Sequence, residues 1–127
     1  MNLERVVFGF FIILALALNL GFIAGQIDNP DHHNPWLLFA ALMVGLITSG
    51  LKLGDRSQLG ALVLAASLVA NLLLMIAVSV WAVAEGGMDE SVSPGLIVTI
   101  VSLGYGALAA NIVSVAVLAF DTLLSRQ

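Results

Sequence analysis

Four apolar runs, approximately residues 6–25, 36–52, 59–84 and 95–121, carry no charged residue ahead of their final positions. A run of about 20 apolar residues is long enough to cross a hydrocarbon core about 30 Å thick. Inside lipid no water is available for backbone N–H and C=O groups, so only helices and closed barrels span. The runs lack the alternation of barrel strands, and each is expected to be a helix. The predicted fold class is therefore all-α, a four-helix transmembrane bundle forming a single integral membrane domain over residues 1–127. Composition leaves room for little else, because 61% of the residues are hydrophobic and only 9% are charged.

The connections carry helix punctuation. Asn34 is placed to cap the second helix with Pro35 in its first turn, and Ser93 and Pro94 repeat that arrangement at the fourth. Gly54 is placed to end the second helix in a left-handed conformation, and Asp55 or Ser57 to cap the third. So short a connection makes helices two and three an antiparallel hairpin. The first run resembles a secretory signal in having Arg5 before it and Ala15 and Ala17 at cleavage-site spacing, but it continues to Gly25 and is expected to be a retained span.

Orientation follows from the basic residues. Arg5, Lys52, Arg56 and Arg126 all fall on one side when the runs are threaded in order, which places both termini and the second connection in the cytoplasm. Asp28, Asp31, Glu85, Asp89 and Glu90 fall on the other side, against Glu4, Asp55 and Asp121 with the basic residues. The net charge of -4 provides no footprint for nucleic acid, which needs clustered Lys and Arg. With zero Cys there is no disulfide, thiolate metal site or cysteine nucleophile.

Within the spans, small residues recur at four-residue spacing: Gly21 and Gly25 in the first, Ala41, Gly45 and Ser49 in the second, and Ser102, Gly106, Ala110 and Ser114 in the fourth. Such positions let backbones approach closely where lipid removes the hydrophobic drive to associate, so Gly21, Gly25, Gly45 and Gly106 are the candidate packing residues. They serve either the bundle itself or a second subunit. Asn19, Asn71 and Asn111 sit in apolar surroundings with Ser67, Ser102 and Ser114 nearby. An amide in hydrocarbon needs a partner, and these groups act either as interhelical hydrogen bonds or as the lining of an aqueous path.

Several chemistries are excluded or disfavoured. No Asp, Glu, His, Lys or Arg lies within a span, which removes the titrating group of a proton relay. The chain matches small four-helix multidrug exporters in size but lacks their acidic residue in the first span, where only Asn19 is polar. Ser102-Leu103-Gly104-Tyr105-Gly106 looks like a potassium-channel filter, yet the flanking runs are too short for a pore helix and a following span. No catalytic motif is present, so no enzyme activity and no cofactor are expected. Asp28, Asp31, His32, His33, Glu85, Asp89 and Glu90 form a candidate cation-attracting vestibule. Histidine beside carboxylates also admits pH sensing, although the spacing matches no metal motif and no metal site is assigned.

Asn2-Leu3-Glu4-Arg5-Val6, the stretch Asp28-Asn29-Pro30-Asp31-His32-His33-Asn34, the hairpin Leu51-Lys52-Leu53-Gly54-Asp55-Arg56 and Ala110-Asn111-Ile112 resemble an uncharacterised family of short proteobacterial inner-membrane proteins. The resemblance implies a four-span, multi-pass protein of the bacterial inner membrane, with a link to potassium uptake systems. Two functions are open. The first is a homo-oligomeric ion channel or permeation protein with a cation bias; the second is an accessory or assembly subunit of a larger transporter. Both have the lipid bilayer as partner.

Overall fold

The computed structural model describes residues 3–26, 29, 33–53, 58–85 and 93–125. They form four helices, α1 (Leu3–Ile23), α2 (Pro35–Lys52), α3 (Gln58–Glu85) and α4 (Pro94–Ser125). Each is long and apolar enough to cross a membrane. Among the described residues there is no strand.

Local chemistry sets the starts of two helices. Asn34 Oδ1 accepts from the Trp36 N–H at 2.9 Å, with Pro35 as the first helical residue of α2. Ser93 Oγ accepts from the Leu96 N–H at 3.2 Å, and the Ser93 carbonyl takes the Ile97 N–H at 2.9 Å. Each cap supplies an acceptor to N–H groups that have no partner inside the helix. Gly54, Asp55 and Ser57, expected to punctuate the α2–α3 turn, lie outside the described residues.

The helices run alternately up and down. Val115 and Leu118 pack against the cluster that holds Phe8 and Ile12 at one end of the α1–α4 seam, and Gly104 meets Phe22 and Ile23 toward the other. Gly21 meets Leu37 across α1–α2, and Gly45 meets Asn71 across α2–α3. Neighbours pack in the ring α1–α2–α3–α4–α1. The start of α1, the end of α2, the start of α3 and the end of α4 therefore share one end of the bundle, here the terminal end.

Two apolar clusters fill the interior. The larger, around Phe22, Leu38, Leu74, Trp81 and Ile100, occupies the half away from the termini. The smaller joins Phe8, Ile12 and Val63 near the terminal end. The outside is equally apolar, with Phe10, Ile13, Phe39, Leu72, Ile76 and Val113 exposed. An apolar surface on every helix is an aggregation liability in water and the expected boundary with lipid tails.

Helix lengths are unequal. The 18 residues of α2 rise about 27 Å, close to the hydrocarbon thickness, while the 32 residues of α4 rise about 48 Å. The longer helices must tilt or extend beyond the hydrocarbon. At the terminal end, Lys52 Nζ lies 4.4 Å from the centroid of the Phe8 ring, joining α2 to α1 through a cation–π contact.

Candidate functional site

The amides singled out in the sequence are buried, and each reaches a neighbouring helix of the same chain. Asn71 on α3 donates from Nδ2 to the Gly45 carbonyl at 3.2 Å and to Ser49 Oγ at 2.8 Å, both on α2. Gly45 is what allows this approach, since a methyl group at that position would overlap Asn71 Oδ1. That oxygen has no hydrogen-bond partner among the described residues. Ala41, Gly45 and Ser49 are all buried, so the small-residue face of α2 is turned toward its neighbours within the chain.

A second polar cluster bridges α1 and α4. With the Asn19 amide oriented by its hydrogen bonds, Nδ2 donates to the Gly104 carbonyl at 3.0 Å and Oδ1 accepts from Asn111 Nδ2 at 3.0 Å and from the Leu108 N–H at 2.9 Å. Gly104 and Leu108 stand one turn apart, the pair that the α-helical ladder normally joins. Asn19 thus spans a backbone hydrogen-bond position of α4 from outside. Gly104 makes room for the end of α1 beside it, because a Cβ there would come within 2.7 Å of Ile23 Cγ2.

The serines divide. Ser114 is fully buried, with no partner for its Oγ among the described residues, and Ser67 is buried one turn before Asn71. Ser102 instead faces outward and donates from Oγ to the Val98 carbonyl at 2.6 Å. The expected stripe Ser102, Gly106, Ala110, Ser114 is therefore not one face. Every fourth residue advances about 40° around a helix of 3.6 residues per turn, and over three steps the row winds from the lipid side into the interior. Gly106 within it makes a tight approach, 2.9 Å from its hypothetical Cβ to Leu73 Cδ1.

The expected Gly21–Gly25 packing pair is also divided. Helix α1 ends at Ile23, and Gly25 has φ 98°, a left-handed conformation that turns the chain. Gly21 is exposed, with only Leu37 Cδ1 at 3.7 Å from its hypothetical Cβ. Gly104-Tyr105-Gly106 lies within continuous α4 with Tyr105 exposed, so its backbone is helical and not that of an ion filter.

Of the candidate vestibule, Asp28, Asp31, His32, Asp89, Glu90 and the Glu85 side chain lie outside the described residues. His33 is described, and it is buried at 2% exposure instead of facing an aqueous mouth. Its Nδ1 lies 2.7 Å from the Phe22 carbonyl and its Nε2 2.7 Å from the Gln26 carbonyl. With both nitrogens against carbonyl oxygens, this ring has no lone pair free for a metal. Among the described residues, no group of three His, Cys, Asp or Glu side chains could hold a metal ion.

Sequence reasoning did not assign roles to Thr48 and Trp81. Thr48 is buried and donates to the Val44 carbonyl at 2.8 Å, and Trp81 packs on Phe22 with ring centroids 6.2 Å apart. Trp81 Nε1 has no partner among the described residues. The partnership of Ser49 with Asn71 was partly legible, because Ser49 follows Gly45 by one turn and so shares its face.

Four apolar helices in an up-and-down ring, joined by buried amides, define a small polytopic α-helical membrane protein. The chain belongs to a family of unknown function, DUF6394, whose model matches residues 32–122. That span covers α2, α3 and most of α4, and leaves α1 outside it. No curated protein and no solved structure matches the chain.

Proposed function

We propose that the chain is a non-catalytic accessory subunit of the bacterial inner membrane, packing through its apolar outer faces against a larger membrane transporter. The observation that carries this reading is the pairing of the amides. Asn19 with Asn111, and Asn71 with Ser49, bond across helices of one protomer, leaving these groups committed to holding the bundle and not to replacing an ion's water. The resemblance makes a potassium uptake system the first partner to test. Positive-inside orientation places the terminal end in the cytoplasm.

The experiment is native mass spectrometry of the tagged protein extracted from its own membrane. A stoichiometric complex with a transporter subunit supports the reading, and recovery as a ring of identical chains overturns it.

A homo-oligomeric channel with a cation bias is the second reading. The exposed hydroxyls of Thr99 and Ser102 on α4 favour it, since a pore between protomers would need polar groups on an outward face. Both hydroxyls donate to carbonyls one turn back, leaving their oxygens able to accept. Liposome flux with purified protein separates the readings. Conductance abolished by Ser102→Leu, in protein that still assembles, would establish the channel.

A further inference from the structure

At one rung, α4 shares its backbone ladder with α1. An α-helix joins each N–H to the carbonyl four residues back, and at Gly104 and Leu108 both halves of that rung meet the buried amide of Asn19. Nδ2 donates to the Gly104 carbonyl at 3.0 Å, and the Leu108 N–H donates to Oδ1 at 2.9 Å. A backbone N–H has a single hydrogen, so the rung is either shared with α1 or replaced by it. Asn111, also buried, donates to the same Oδ1 at 3.0 Å and fixes the amide from α4. A side chain entering the ladder is a recognised cause of helix kinks, and a bilayer tolerates the opening because the neighbouring helix satisfies the freed groups. Gly104 and Gly106 stand at the same place, and glycine weakens a helix interior.

The two flanks of α4 differ around this rung. Helix α1 lies on one flank and α3 on the other. Toward the start of α4, on the α3 flank, a groove of about 310 Å³ opens between Ser79, Val80, Val83 and Ala84 of α3 and Leu96 of α4. The Ser79 hydroxyl is turned onto the Met75 carbonyl at 2.8 Å, so the groove offers space without a polar group that needs a partner. Just past the rung the same two helices close up, with the hypothetical Cβ of Gly106 2.9 Å from Leu73 Cδ1. The first half of α4 is held inward by Ile97, Ile100 and Val101, which are apolar contacts with no directional bonds.

We propose that residues 104–108 are a hinge in α4 and that Asn19 of α1 is its pin. The amide holds the first half of α4, residues 94–104, toward α1. Withdrawing the amide lets the Leu108 N–H and the Gly104 carbonyl bond to each other, so no backbone group is stranded, and the first half swings toward α3 and narrows the groove. The second half stays in place, because Val115, Val117 and Leu118 pack against the cluster of Phe8, Ile12 and Val63. A bend of about 20° carries the far end of an arm about 15 Å long by about 5 Å. The hinge does not rest on the accessory-subunit reading, because its readouts are a distance and a hydrogen bond within one protomer.

The test uses the full chain in lipid nanodiscs, with cysteine pairs placed in a sequence that has none of its own. Spin labels at Gly95→Cys and Val83→Cys, both exposed, report across the groove; labels at Val113→Cys and Leu62→Cys, also exposed, report on the second half of α4. Distances are read by dipolar electron paramagnetic resonance. Asn19→Leu removes the amide while keeping about the same bulk, and it should shorten the first distance by about 5 Å and leave the second unchanged. Asn111→Leu keeps both bonds from Asn19 to the α4 backbone, so it should leave both distances as they are in the unaltered protein. A first distance that does not shorten in Asn19→Leu overturns the hinge, as does an equal change in both distances or the same shortening in Asn111→Leu. In the protein with its natural sequence, the Leu108 nitrogen should show hydrogen-bond coupling to the Asn19 side-chain carbonyl carbon by NMR. Coupling to the Gly104 carbonyl carbon alone overturns the proposal, and this measurement decides if Asn19→Leu fails to fold.

Discussion

Asn71 donates both hydrogens of its amide to α2, one to a backbone carbonyl and one to a hydroxyl. Interhelical bonds of this kind contribute about 0.6 to 2 kcal/mol in a bilayer, because the separated helices find alternative partners. Asn71→Leu should therefore lower bundle stability by about that amount, measured by reversible unfolding in mixed micelles. If Asn71 has no pore role, any ion flux of the wild-type protein should persist in the variant. The glycines make a sharper series, since only some face a neighbour. Gly45→Ala should be the worst, because the new methyl overlaps an amide already committed to two bonds. Overpacking of this kind costs about 1–3 kcal/mol. Gly104→Ala should cost less, because its methyl meets a side-chain methyl of Ile23 at 2.7 Å and overlaps no committed amide; Gly106→Ala should cost least, because it meets only the far end of Leu73. Gly9 and Gly50 have nothing within 4 Å, so alanine there should be neutral or slightly stabilising through helix propensity. Equal losses across the series in the same unfolding assay would refute this geometric ranking.

Among the elements, α1 is held at both ends by different chemistry. At the terminal end Phe8 carries the Lys52 ammonium over its ring, and further along Asn19 bridges Gly104 and Leu108 of α4. A double-mutant cycle of Phe8→Leu and Lys52→Met should yield a coupling of about 0.5–1 kcal/mol, read from unfolding midpoints; a coupling of zero would mean the contact contributes nothing. The existence of all four helices was legible in the charge-free runs, and the caps at Asn34 and Ser93 were legible in their Pro-following positions. The end of α1 was not. The apolar run continues to Gly25, and hydropathy has no means of showing that the backbone leaves the helix at Ile23 and turns at a left-handed glycine. The small-residue row of α4 misled for a related reason: four-residue spacing marks neighbours along a helix, but it drifts around the axis, so a row of four such residues is shared between the interior and the outside.

At the scale of the whole molecule, the described residues form a ring of antiparallel helices with an apolar boundary. Because the chain contains zero Cys, single cysteines can report its orientation directly. Cysteine at exposed Gln26 should react with a membrane-impermeant maleimide from outside the cell, and cysteine at exposed Gln58 should react only after permeabilisation; the reverse pattern would invert the topology. Taken by itself, the sequence determined the solvent, the helix number and the need of each intramembrane amide for a partner, since each follows from hydropathy and hydrogen-bond capacity along the chain. Only the tertiary structure decided which partners those are. Asn19 and Asn111 lie far apart in sequence, His33 looks like one more polar loop residue, and nothing along the chain shows that its ring is buried between two carbonyls. Those pairings depend on the distance and rotation between helices, which packing around Gly45 and Gly104 sets.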